Sequence, residues 1–215
     1  LAYANSQLSK ALDVNTLTIG FARRAATYKR AQLIFKDVDR LLDIGKGKIQ
    51  IIFSGKAHPK DEGGKSLIKN IIKSSKYFTG HIKIIYLENY NMWLGRLITS
   101  GVDVWLNTPL RPNEASGTSG MKASLNGVPN LSVLDGWWSE GCIDGVNGWA
   151  VGNPNEISDE SDADHLYDLI ENNVIPSYYG DKDDWSTMMK ESIKTGISYT
   201  SHRMVMDYNN QYYKL

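Results

Sequence analysis

Apolar residues along this chain recur with two different periods. Five short runs rich in Ile and Val end in turn residues: TLTIGFA from Thr16, KIQIIFSG from Lys48, HIKIIYLEN from His81, VDVWLNT from Val102 and VPNLSVLDG from Val128. Short, nearly continuous apolar runs of this kind predict strands buried on both faces. Between them the period lengthens. Leu33, Ile34, Val38, Leu41 and Leu42 fall on one face of a helix predicted between Ala26 and Ile44. Leu67, Ile68, Ile71 and Ile72 mark a second helix, and NMWLGRLITSG marks a third that stops at Gly101. A fourth follows Gly117. Past Asp159 the strands cease. The segments DADHLYDLIENNVIPSYY, DWSTMMKESIKTGI and YTSHRMVMDYNNQYYKL predict helices broken by Pro176, Gly180 and Gly196.

The alternation predicts an α/β fold, a doubly wound parallel sheet with helices on both faces. The whole chain, 1–215, reads as one domain, with its sheet core about 16–152 and a helical tail about 159–215. In open sheets of this kind ligands bind beyond the carboxyl ends of the strands. The chemistry-bearing motifs follow the first, third and fourth runs, so they converge on that edge.

Composition narrows the function classes. Lys and Arg together number 24, as do Asp and Glu, so the zero net charge gives no electrostatic footprint for nucleic acid or anionic membrane. The single cysteine, Cys142, cannot form an internal disulfide, which argues against a secreted disulfide scaffold. LAYANSQLSKALDVNTLTIG lacks the basic start and apolar run of a signal peptide. No apolar stretch approaches the ~20 residues of a spanning helix. A cytoplasmic setting is expected, and the start at Leu1 reads as that of a fragment.

Two clusters carry candidate chemistry. In ARRAATYKRA, Arg23, Arg24, Lys29 and Arg30 follow a strand and open the helix predicted there. Cations at a strand end beside a helix N-terminus form an anion site, although a solvated basic face has the same pattern. In EASGTSGMK, Glu114 precedes small residues and Lys122 follows them. Gly117 and Gly120 let backbone N–H groups approach a ligand closely, while Ser116, Thr118 and Ser119 offer hydroxyls and caps. Their N–H groups at a helix start would hold a phosphate. Lys122, one turn inside, would reach an aldehyde on the same ligand, as a Schiff-base lysine does. A glycine-rich cap with an exposed lysine is the plainer alternative.

Other motifs carry less. EGGKS lacks the earlier glycine of a phosphate loop, because Pro59 stands there, and GKGKI has Gln50 where a dinucleotide fingerprint needs glycine. His58 reads as loop surface. Asp135, Trp137 and Trp138 could line a sugar site or pack between elements. Cys142 has no basic neighbour and reads as structural, and no His and Cys set has metal-ligand spacing.

EASGTSGMKASLNG resembles the pyridoxal-phosphate lysine motif of the glycogen and α-glucan phosphorylases. RRAATYKRA resembles that family's basic phosphate-site motif, and YLENYNMWLGRLITSGVDVWLNTP its segment beside the cofactor ring. The order along the chain is also the family's. GWWSEG and NGWAVG are similar to its short bacterial and archaeal branch. The resemblance is close from about Thr16 to Gly152 and looser in the tail. It implies the C-terminal domain of a two-domain, GT-B type glycosyltransferase whose N-terminal domain is absent from this sequence. It implies pyridoxal 5′-phosphate held as a Schiff base by Lys122, with Gly117, Thr118, Arg23 and Lys29 at its phosphate and Tyr90 beside its ring. Arg24 would bind substrate phosphate, and Glu114, Ser116 and Gly117 the hydroxyls of the reacting glucose. The implied catalytic set is Lys122, Arg24 and Lys29. The implied reaction is retaining phosphorolysis of α-1,4-glucan to α-glucose 1-phosphate, with the cofactor's phosphate group as acid and base. The partners implied are glucan, inorganic phosphate and the N-terminal domain, with self-association left open. A chain of this extent alone would be inactive. Arg23 stands where the animal enzymes have lysine, and Ala26 where they have histidine. A nucleotide-sugar glycosyltransferase of the same architecture and a non-catalytic sugar-binding module are the alternatives.

Overall fold

The computed structural model describes residues 1–7 and 12–213. After a short α1 (Ala2–Gln7), six strands alternate with helices: β1 (Leu17–Ala22), α2 (Val38–Gly45), β2 (Ile49–Ser54), α3 (Glu62–Tyr77), β3 (Lys83–Leu87), α4 (Met92–Gly101), β4 (Val104–Asn107), α5 (Thr118–Leu125), β5 (Asn130–Val133), α6 (Trp138–Gly141) and β6 (Gly148–Val151). The tail is α7 (Asp159–Leu169), α8 (Ile175–Tyr179), α9 (Lys182–Ile197) and α10 (Ser201–Tyr208). The sheet order is β3-β2-β1-β4-β5-β6 and every pairing is parallel. This is the doubly wound, Rossmann-like order, with its reversal between β1 and β4.

The apolar runs are continuous because both faces are covered. Ile19, Ile51, Phe53, Ile84 and Leu106 share one core with Leu41 and Ile44 of α2, Ile71 of α3 and Leu166 and Tyr167 of α7. Their neighbours Ile52, Ile85 and Trp105 turn to the other core, with Leu94 and Ile98 of α4 and Ala123 of α5. Each such aliphatic side chain contributes about 1.5–3 kcal/mol on burial.

Several boundaries differ from expectation. The helix predicted between Ala26 and Ile44 is two 3₁₀ turns, Thr27–Lys29 and Leu33–Phe35, followed by α2. Ala26 is extended and Arg30 is left-handed (φ 46°), so no helix can run through this segment. Arg23 and Arg24 therefore lead into a 3₁₀ turn and not a helix N-terminus. The strand β6 falls outside the five runs; it is four residues long and opens with Gly148 at φ 151°, so its pattern is weak. Pro176 does not break the tail: a π turn, Ile170–Val174, carries the chain from α7 into α8 with the proline in its first turn. Gly196 lies within α9, against the backbone of Leu125. Residues 214–215 of the tail lie outside the described residues.

Candidate active site

The sheet reversal brings the two sequence clusters together. The chain leaving β1 runs along the end of β2, with Arg23 N–H donating to the Ser54 carbonyl at 3.1 Å and Ala25 N–H to Lys56 at 3.0 Å. Gly55 permits this approach, since a Cβ there would lie 2.3 Å from the Arg23 carbonyl oxygen. The chain leaving β4 is stitched to the same turn: Leu110 N–H donates to the Tyr28 carbonyl (2.7 Å), and the Thr108 hydroxyl to the Arg30 carbonyl (3.1 Å). Arg30 closes the junction. Its buried guanidinium donates to the Thr108 and Pro109 carbonyls and pairs with Asp162 at 2.6 Å and Asp159 at 2.9 Å.

Glu114 is the centre of the cluster. Its carboxylate pairs with Arg23 at 2.7 Å and with Lys29, and all three side chains are nearly buried. The Glu114 N–H donates to Asp135 at 2.9 Å, so Asp135 braces the backbone and does not line an open sugar site. Arg23 also donates to Asn107 at the end of β4, whose amide donates onward to the Ser132 hydroxyl at 2.9 Å. Burial holds the Arg23 pKa below the usual guanidinium value, and Glu114 offsets this in part. Tyr90, after β3, is close enough to Arg23 to feel its charge; burial raises the phenol pKa and Arg23 opposes the rise.

Gly117 joins this cluster to α5. It is left-handed (φ 84°) and backed by Trp137, whose indole would lie 3.2 Å from a Cβ there. Gly120 is tighter still, with Trp137 Nε1 at 2.8 Å and Asn130 Oδ1 at 2.5 Å from a Cβ. Both glycines are there because the indole lies against the helix backbone. The helices α2, α3, α4, α7, α9 and α10 each have a side-chain N-cap, whereas α5, like the short α6 and α8, has none. The Gly120 N–H turns back to the Gly117 carbonyl at 3.0 Å, which leaves the N–H groups of Thr118 and Ser119 for another acceptor. Arg23 Nε and Ser119 Oγ are buried without a partner.

Ser116, Thr118 and Lys122 line a cleft of about 530 Å³ with Tyr199, Arg203 and Met204. Lys122 and Arg24 are exposed, and among the described residues neither side chain has a hydrogen bond or ion pair. Arg24 lies beside Arg23 and Lys29, lining with them a small void of about 10 Å³. The structure thus joins Arg23, Lys29 and Glu114 directly and sets Tyr90 beside Arg23 and Gly117 beside Glu114. Ser116, Thr118 and Lys122 open on the adjoining cleft. Trp138 is fully buried and packs against Trp137 at 5.0 Å between ring centres, which makes it structural. Burial raises the Cys142 pKa to about 12, leaving an unreactive thiol. Sequence reasoning missed Asn107, whose only signal is one amide ending an apolar strand, and Arg203, which is remote in sequence from the lysine motif.

The donor set fits a group bearing an aldehyde and a phosphate ester. An amine unpaired among the described residues stands one turn inside a helix that lacks a side-chain cap, and the residue before that helix, Gly117, adjoins a cluster of buried cations of which one still has an unmet N–H.

Residues 2–140 match the model of the carbohydrate phosphorylase family. The chain is 51% identical over 211 residues to a maltodextrin phosphorylase of Thermococcus litoralis, covering 94% of this chain and 25% of that protein. It is 48% identical over 214 residues to a glycogen phosphorylase of Aquifex aeolicus, covering 94% of this chain and 31% of that protein. A glycogen phosphorylase of Mycobacterium tuberculosis is 43% identical over 220 residues, covering 96% and 25%. The chain spans a quarter to a third of the length of these relatives. By motif, fold and similarity across nearly all its length, it belongs to the carbohydrate phosphorylase family.

Proposed function

We propose that this chain is the cofactor-binding, C-terminal domain of an α-1,4-glucan phosphorylase, which releases α-glucose 1-phosphate from glucan with retention. The observation that carries this reading is that the Arg23–Glu114–Lys29 cluster sits at the sheet reversal directly beside Gly117, which opens the helix carrying Lys122. Relatives named for phosphorolysis favour it over nucleotide-sugar transfer. The rest of the longer protein supplies the glucan groove, and the chain alone is inactive. The compartment is the cytoplasm; among the described residues no helix is long and apolar enough to cross a membrane.

In this reading Lys122 is the attachment point of pyridoxal 5′-phosphate, and the first N–H groups of α5 hold its ester phosphate. Bound there, the cofactor supplies a phosphate group that can give and take back a proton. Tyr90, near Arg23, would help to hold the ring. Arg24, which has no carboxylate partner among the described residues, takes the substrate phosphate. Two phosphate dianions repel strongly in a poorly solvated site. Arg23 and Lys29 offset that repulsion, and Glu114 leaves one net positive charge on the trio. The substrate phosphate is then held on the face where positive charge develops on the departing sugar. Ser116 and Gly117 meet the hydroxyls of that sugar.

The test is Arg24→Ala in the full-length enzyme. The expected result is roughly a hundredfold loss of phosphorolysis, with a raised KM for phosphate and an unchanged melting temperature. Unchanged kinetics would remove Arg24 from the site.

A further inference from the structure

A second cleft lies behind the 3₁₀ turn that carries Lys29. It has a volume of about 690 Å³ and runs between α3 and the segment from Thr27 to Val38. That volume suits a small ligand. Its apolar lining includes the buried Leu33 and Phe35 together with Leu67. Its lining carries three cations, Arg30, Lys36 and Lys73, against one carboxylate, Asp159, which is paired with Arg30. Lys73, one of four lysines along α3, has no ion pair among the described residues, and neither the Asn70 nor the Ser74 side chain has a hydrogen bond there. The other charges are already matched. Arg30 is taken up by Asp159 and Asp162, Lys36 by Glu160, and the Tyr77 hydroxyl donates to Asp39 at 3.1 Å. Unmet donors and one free cation over an apolar floor call for a ligand rich in acceptors, negatively charged and partly apolar.

We propose that this cleft is a binding site for a small phosphate monoester with an apolar ring or chain, its head at Lys73, Asn70 and Ser74 and its body on Leu33 and Phe35. The site is separate from the cluster at the sheet reversal, and it does not depend on the function proposed above. It adjoins that cluster through one turn: Thr27 and Arg30 line the cleft, while Lys29 between them pairs with Glu114. An occupant therefore rests against the segment that sets a cation of the other site.

The probe is phenyl phosphate, titrated calorimetrically into the chain, with inorganic phosphate as the control lacking an apolar body. Because Arg24→Ala weakens the other candidate anion site, the titration is run in that background. The expected result is saturable binding of phenyl phosphate, tighter than that of inorganic phosphate. Lys73→Glu, an exposed change on α3, is expected to weaken it at least about tenfold. Absence of binding in the Arg24→Ala background, or binding that Lys73→Glu leaves unchanged, would overturn the proposal.

Discussion

A buried carboxylate between two buried cations does more than balance charge. Glu114 holds Arg23 and Lys29 at one point, and its own backbone is held by Asp135. Removing it strands two positive groups away from water, which costs about 3–5 kcal/mol. Glu114→Ala should therefore lower stability by about that amount in urea unfolding, and inorganic phosphate should restore more stability to the variant than to the wild type. A variant as stable as wild type would show that the cations reach solvent. At this scale the motifs were informative: Arg23, Lys29 and Glu114 were all named from sequence. Asn107 was not, because its contact with Arg23 exists only once β1 and β4 are neighbours, and a parallel pairing between strands so far apart leaves no local pattern.

Among the elements, α5 shows how packing and site depend on each other. Trp137 presses against Gly117 and Gly120, so the helix start presents backbone rather than side chains. Gly120→Ala would place a methyl group 2.5 Å from Asn130 Oδ1 and 2.8 Å from Trp137 Nε1. Overpacking of this kind typically costs 1–3 kcal/mol. The expected outcome is a loss of about 2 kcal/mol in urea unfolding together with weaker uptake of pyridoxal 5′-phosphate; an unaffected variant would mean that α5 shifts freely. The helices α3 and α4 and the first five strands were legible because their apolar periods are long or their runs continuous. The helix expected from Ala26 begins only at Val38, although Leu33, Ile34, Val38, Leu41 and Leu42 keep a helical spacing. That spacing is shared by a 3₁₀ turn feeding a short helix, and the left-handed Arg30 is held by carbonyls and carboxylates distant in sequence.

Across the whole molecule, the strand order was the decisive feature that sequence only implied. Alternation predicts a parallel sheet, but the placement of β1 beside β4 is what brings RRAATYKRA to EASGTSGMK. The helical tail then covers the sheet: Tyr167 of α7 is fully buried, donates to the Ile34 carbonyl and accepts from Asp37 N–H. Burial raises its pKa to about 12, and those of Tyr86 and Tyr178 likewise. In the unfolded chain tyrosine titrates near 10. Between pH 10 and 12 the unfolded state therefore loses protons that the folded state keeps. The stability from these groups is complete below pH 10 and is lost as pH rises toward 12. Urea midpoints should fall across that window, and Tyr167→Phe should flatten the fall while costing about 1 kcal/mol at neutral pH. A midpoint independent of pH would contradict the burial.

The central proposal is that Lys122 is the amine to which pyridoxal 5′-phosphate would attach. The most direct measurement is peptide mass spectrometry after the chain is incubated with that cofactor and reduced with borohydride. The account predicts one pyridoxyl-phosphate adduct, on the peptide containing Lys122, and its loss in Lys122→Ala. An adduct spread over the exposed lysines of α3, or none on Lys122, would contradict it.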